Sequence, residues 1–251
     1  MRHFVFTRAV YGPSWDIEAN RRRLDVTRAV TAPLMAAQTN REWAWVVALD
    51  ARDELLAERQ AVFAAACPTF VPLLWTPPAN PKAAPWDRHG AEANTVQKIA
   101  ATAYRAPWRQ AAGISVDERV MMTRLDDDDG LAPDAIARYR RAGLRATKRT
   151  ILMLPSGIRV WRGRWSDVRH LRNAMHTLVT PPGDCTCVYD YGHAKCQTAA
   201  PIVMVDQQWG WIWVRHRDTI SGWKRADAPI TRTVRSAFPV DWGSLSRAWS
   251  M

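Results

Sequence analysis

Arg119-Val120-Met121-Met122-Thr123-Arg124-Leu125-Asp126-Asp127-Asp128-Asp129-Gly130 is the stretch on which the fold turns. An apolar run long enough for a buried strand leads straight into four carboxylates, and a glycine closes the turn. Four like charges at one strand end repel one another and resist desolvation, so the juxtaposition costs stability unless something offsets it. A solvated loop is one way out. A divalent cation is the other, and carboxylate oxygens are hard donors that suit Mg²⁺ or Mn²⁺, ions that keep positions open for phosphate oxygens. Asp126 and Asp128, as a strand-end Asp-x-Asp, read as a place where a metal clamps a diphosphate. Arg124 beside them suits a phosphate-bearing ligand. An EF-hand is excluded by spacing: it would put Leu125 at the first ligand position and Ile136 where a Glu is required.

Outward from this motif the chain alternates strand and helix. His3 to Arg8 reads as a short strand. Thr7 and Arg8 at its carboxyl end lie where an open α/β sheet binds ligands. Ile17 to Gln38 reads as a helix broken at Pro33, with Arg21, Arg22 and Arg23 on a solvated face. Trp43 to Leu49 reads as a buried strand ending on Asp50. A helix over Ala51 to Ala66 and a strand over Thr69 to Trp75 follow. This alternation predicts an α/β fold, a mostly parallel sheet with helices on both faces. Residues 1–145 are expected to form the diphosphate-binding α/β part and 146–251 the remaining part of one domain.

Prolines between Pro77 and Asp87 mark a loop that could serve as a lid, and Glu92 to Tyr104 reads as a helix. A helix over Pro133 to Ala142 stops at Gly143, with Asp134 in its first turn. Arg149 to Leu154 and Ile158 to Trp161 read as a hairpin around Pro155-Ser156-Gly157. Val168, Leu171, Met175 and Leu178 give Ser166 to Leu178 a helical spacing. Trp209, Trp211 and Trp213 alternate along a strand, where they either fill the core or stack on sugar rings.

Thr123-Arg124-Leu125-Asp126-Asp127-Asp128-Asp129 resembles the Thr-Arg-Leu-Asp-Asn-Asp-Asp signature of a rhamnosyltransferase family of bacterial glycosyltransferases, with Asp127 where the family commonly has Asn. His3 to Arg8, Gln38-Thr39-Asn40 and Trp211 to His216 fall in the family's order. The resemblance implies a GT-A fold and transfer of a sugar, rhamnose by the family's name, from a dTDP- or UDP-type donor to a glycan, glycolipid or protein. It implies donor contacts from Asp50 and Lys98, and His216 as a further ligand of Mn²⁺ or Mg²⁺ beside Asp126 and Asp128. Val188 to His193 is similar to the family's Tyr and His region, which makes Asp190 and His193 acceptor-side candidates. For an inverting displacement the general base is expected to be Asp190, with Asp129 second.

Composition bounds these readings. Hydrophobic residues at 47% and charged residues at 24% exclude a disordered chain. The net charge of +11 suits a polyanionic donor or acceptor, an anionic membrane or nucleic acid. No Lys/Arg block with interleaved aromatics favours the last. The apolar stretch before Arg8 is too short for a signal peptide, and no run reaches the length of a membrane span, so a soluble cytoplasmic protein is expected. Cys185, Cys187, His193 and Cys196 offer zinc ligands at unusually tight spacing, against reduced, partly buried thiols as the favoured reading. A metal-dependent nucleotidyltransferase or nuclease and a non-catalytic glycan-binding module stay open as alternatives.

Overall fold

Arg2–Ala9 forms β1, buried almost throughout because both faces of the strand are covered. The computed structural model describes residues 1–9, 17–75, 112–189, 191–216 and 226–250. On one side β1 pairs in parallel with β2 (Ala44–Asp50), which pairs in parallel with β3 (Phe70–Trp75). On the other side it pairs in parallel with β4 (Val120–Asp126), so the carboxyl ends of β1 and β4 lie together and Arg8 stands beside Asp126. Beyond β4 the antiparallel β9 (Thr177–Thr180) is inserted, followed by β6 (Thr150–Met153) and β10 (Ile202–Met204). The order β10-β6-β9-β4-β1-β2-β3 gives a mixed α/β fold with a mostly parallel central sheet.

A second sheet has the order β12-β8-β7-β11-β5 among the described residues. It is built from β5 (Gly130–Leu131), β7 (Ser156–Trp161), β8 (Arg164–Arg169), β11 (Trp209–Val214) and β12 (Ala228–Pro229). Because β5 follows the four aspartates and pairs with β11, the acidic turn joins the two sheets. Gly130 is required at this junction: a Cβ there would stand 2.1 Å from Leu34 and 2.8 Å from Ile212.

Helices α1 (Ile17–Val26), α2 (Ala32–Ala36), α3 (Leu56–Ala66) and α4 (Ala135–Gly143) supply apolar side chains to the main core. That core holds Leu34, Trp45, Phe63, Tyr139, Trp211 and Ile212, with Phe238 and Leu245 from the region of α5 (Arg232–Ala237) and α6 (Trp242–Ser250). The other face of the large sheet carries Phe4, Phe6, Met122 and Leu178, packed against Cys187, Val188, Tyr189 and Cys196.

Three expectations are corrected. The chain stays helical through Pro33 because the turn before it, Thr27–Thr31, widens into a π-turn, with the Ala32 N–H bonded to the Thr27 carbonyl. No hairpin forms around Pro155: β6 belongs to the large sheet and β7 to the small one, so the chain crosses between sheets there. The helix expected over Ser166 to Leu178 is replaced by β8, a connection and β9. Here strand pairing overrides helical spacing, and Leu171, expected on the core stripe, is 48% exposed. The actual hairpin is β7–β8, turning through Arg162 and Gly163 at φ 47° and 71°. The expected loop over Pro77 to Asp87 and helix over Glu92 to Tyr104 lie outside the described residues. No helix among those residues is long and apolar enough to cross a membrane.

Candidate active site

The four aspartates do not form a solvated loop; Asp127, Asp128 and Asp129 are all buried. Their placement begins with helix α1. Asn20, Arg23, Thr27 and Thr31 form a buried polar stripe at helical spacing, and Arg23, Thr27 and Thr31 bond the acidic turn. Arg23 Nη2 lies 2.8 Å from Asp127 Oδ1 and 3.0 Å from Asp128 Oδ1, and its Nε lies 3.1 Å from Asp127 Oδ1. Thr27 Oγ1 is 2.8 Å from the Asp127 carbonyl, and Thr31 Oγ1 is 2.8 and 2.7 Å from the carbonyls of Asp127 and Asp129. The widened π-turn thus presents two hydroxyls to the backbone of the acidic turn, and Arg23, one turn earlier in α1, presents a guanidinium to its carboxylates. Arg23 is buried against the acidic turn, contrary to the solvated face expected for it.

Each acid then has its own surroundings. Asp128 Oδ2 is 3.0 Å from His216 Nε2, just past the end of β11. Burial opposes its ionisation, but Arg23 and the His216 hydrogen bond outweigh that and hold its pKa at about 2. Asp129 Oδ1 accepts the Val214 N–H at 3.0 Å, tying the turn to β11. Burial, then the charges of Asp128 and Asp126, raise the Asp129 carboxyl well above the usual carboxylate range. Asp126 keeps 27% of its side chain exposed, with Arg124 Nη2 at 3.4 Å and Arg8 Nη2 at 4.0 Å. Desolvation opposes its charge, and Arg124 and Arg8 together hold its pKa below the ordinary value.

Arg8 and Arg124 both lie over the ring of Tyr189, at 4.7 and 4.9 Å from its centroid. The Tyr189 hydroxyl is within hydrogen-bond distance of the carbonyls of Phe6 (3.2 Å) and Leu125 (3.4 Å), one on each strand. A single aromatic ring therefore spaces two guanidiniums at the shared carboxyl end of β1 and β4, where an open α/β sheet takes its ligand. His193 is half-buried, and burial, then Arg124, depress its pKa to about 4, while Asp126 partly offsets them.

The expected site residues thus divide. Arg8, Arg124, Asp126, Asp128, Asp129 and His216 come together around the carboxyl ends of β1 and β4 and the acidic turn. Thr7 is buried and its hydroxyl accepts the Trp45 indole N–H at 2.9 Å, so it serves the core. Asp50 stands two strands from β4, fully buried, with both carboxylate oxygens 3.0 Å from the Arg52 guanidinium. Lys98 and Asp190 lie outside the described residues. Cys187 and Cys196 are buried thiols in an apolar cluster and Cys185 is exposed.

Among the described residues no three or more His, Cys, Asp or Glu side chains are grouped to hold a metal. The nearest approach is the Asp128–His216 pair. Its 3.0 Å separation is that of two neighbouring ligands on an octahedral ion with bonds of about 2.1 Å, and carboxylate with imidazole is a donor set that Mn²⁺ accepts.

The fold and the acid-bearing strand end define an α/β glycosyltransferase-like protein. The chain belongs to the glycosyltransferase family described as Putative rhamnosyl transferase, whose model matches residues 89–227, more than half of its length. No curated protein matches it. Its fold is similar to that of S. aureus TarS (residues 1–349) in complex with UDP, at TM-score 0.50 and 10% identity over 86% of this chain and 61% of that one. The structure of S. aureus TarS 1–349 alone gives TM-score 0.48 and 10% identity over 85% and 60%. The chain spans about six-tenths of the length of these structures.

Proposed function

We propose that the protein moves a sugar, rhamnose by its family, from a nucleoside-diphosphate donor to an acceptor hydroxyl. The observation that carries this reading is the joint strand end of β1 and β4, where Arg8 and Arg124 flank Tyr189 beside Asp126 while Asp128 meets His216. UDP bound to TarS on a similar fold supports a donor of the UDP or dTDP type. Arg8 and Arg124 would hold the diphosphate, because guanidiniums match phosphate oxygens in geometry and charge and both stand beside Asp126 at the strand ends. Asp126 would face the ribose side of the donor.

Mn²⁺ or Mg²⁺ would be held by Asp128 and His216, with Asp126 nearby, and would neutralise charge on the departing diphosphate. Transfer forms a bond from the acceptor oxygen to the anomeric carbon as the bond to diphosphate breaks, and the electron pair leaves with the diphosphate. An in-line, inverting displacement needs a base to take the hydroxyl proton. We assign that base to Asp190 first and Asp129 second.

The assay is release of nucleoside diphosphate from dTDP, UDP and GDP sugars with Mn²⁺, for the native chain and Asp128→Ala. Release by the native chain, reduced about a hundredfold or more in a variant that keeps its circular dichroism, is the expected result. Equal turnover by the two proteins would remove the metal assignment, and no release from any donor would remove sugar transfer.

A further inference from the structure

The smaller sheet has one apolar face and one that is not. Ile158, Val160, Ile212 and Val214 are fully buried in the core cluster that holds Phe238 and Leu245. On the opposite face, register sets Trp213 beside Arg159, Arg159 beside Ser166, and Trp161 beside Arg164. Register partners on neighbouring strands point to the same side of a sheet. Exposure rises along this face from Trp211, fully buried, through half-buried Trp213, Arg159, Ser166 and Trp161 to exposed Arg164.

Charge on this face is one-sided. Arg159 and Arg164 lie on it and Arg162 at its turn, whereas Asp167 pairs with Ile158 on the other face, as does Arg169 with Ser156. The Arg215 guanidinium lies 3.6 Å from the Trp213 ring centroid and that of Arg162 lies 5.0 Å from the Trp161 centroid. Ser166 Oγ is buried with no hydrogen-bond partner among the described residues. The face is also continuous with the acidic turn, because β11 runs directly into Arg215 and His216, and His216 bonds Asp128. Strands about 4.8 Å apart put Arg159 one step and Ser166 and Arg164 two steps from Trp213, a reach that a short glycan chain spans.

We propose that this face binds the acceptor, and that the acceptor is an anionic glycan whose carboxylate or phosphate groups are taken by Arg159, Arg162 and Arg164. The proposal rests on the sugar-transfer reading above. A glycan is favoured over nucleic acid because one face of both Trp161 and Trp213 is already covered by a guanidinium, whereas base stacking needs open rings.

The test is direct binding to the full chain, by calorimetry, of tetragalacturonate, a phosphodiester-linked glycan oligomer, maltoheptaose and an oligothymidylate, each at two salt concentrations. Arg162→Asn/Arg164→Gln is the variant, both positions being exposed and Asn tolerating the φ of 47° at Arg162. We expect one anionic glycan to bind about tenfold or more tighter than maltoheptaose, to weaken with salt, and to lose about tenfold in the variant. Which anionic probe binds identifies carboxylate or phosphate as the recognised group. Equal binding of maltoheptaose, tightest binding of the oligothymidylate, no glycan binding, or an unaffected variant each overturns the proposal. Donor cleavage is scored separately. Diphosphate release together with binding of neutral glycan only defeats this inference and leaves sugar transfer standing; anionic-glycan binding with no release from any donor does the reverse.

Discussion

Arg23→Met is the substitution whose consequence the structure bounds most tightly. Arg23 is 8% exposed and is the cation shared by Asp127 and Asp128, which are 0% and 5% exposed. Methionine retains much of the apolar stem but leaves two buried carboxylates without their common partner. Removing one member of a buried ion pair costs about 3–5 kcal/mol, since the remaining charge stays desolvated. The His216 hydrogen bond to Asp128 survives the substitution, which puts the expected loss near the lower figure, about 3 kcal/mol. The sign with pH follows from the depressed carboxylate. Asp128 has a folded pKa of about 2, so its contribution is present above the unfolded value near 3.8 and fades as pH falls through about 2. The gap between native and variant should therefore be full at pH 7 and narrow below about pH 4. Urea unfolding at pH 7 and at pH 3.5 measures both. A loss under about 1 kcal/mol at pH 7, the range of an exposed pair, would refute the view that Arg23 holds the acidic turn together.

Further outcomes concern His3 and Tyr189. His3 is buried with Nε2 2.7 Å from Thr123 Oγ1, and burial, then Arg140, lowers its pKa to about 3. The unfolded chain takes up that proton first, so stability falls as pH drops below about 6.5 and keeps falling toward 3. The stability advantage of native protein over His3→Gln should shrink by about 2 kcal/mol between pH 7.5 and pH 5, and a pH-independent difference would rule this out. The opposing titration of Asp129 is common to both proteins and cancels. Tyr189→Phe keeps the ring between Arg8 and Arg124 and loses only the hydroxyl, so stability should drop by about 1 kcal/mol with little change in UDP affinity. Tyr189→Leu also removes two cation–π contacts and should weaken UDP about tenfold in a calorimetric titration; equal affinities for the two variants would contradict the spacer role.

Much of the N-terminal half was legible from pattern. A near-continuous apolar run predicts a buried parallel strand, and β1, β2, β3 and β4 lie within a residue or two of their expected ranges. The polar stripe of Asn20, Arg23, Thr27 and Thr31 was legible too, but only by asking what a buried helix face needs with four polar side chains; a run of three arginines masks it. The second half was harder. Val168, Leu171, Met175 and Leu178 match a helix as well as they match two strands, whereas Arg162-Gly163, whose φ values are both positive, was the local sign of a hairpin.

By itself the sequence determined that four acids follow a buried strand and that the chain alternates strand with helix, since both are local properties of spacing and charge. It could not say which acid does what. What surrounds each was decided by partners distant along the chain: Arg23 beside Asp127 and Asp128, His216 beside Asp128, Val214 holding Asp129, and Arg8 beside Asp126. Identical side chains in a row acquire different surroundings because burial and charge depend on what the fold brings near each one, and a linear pattern does not carry that.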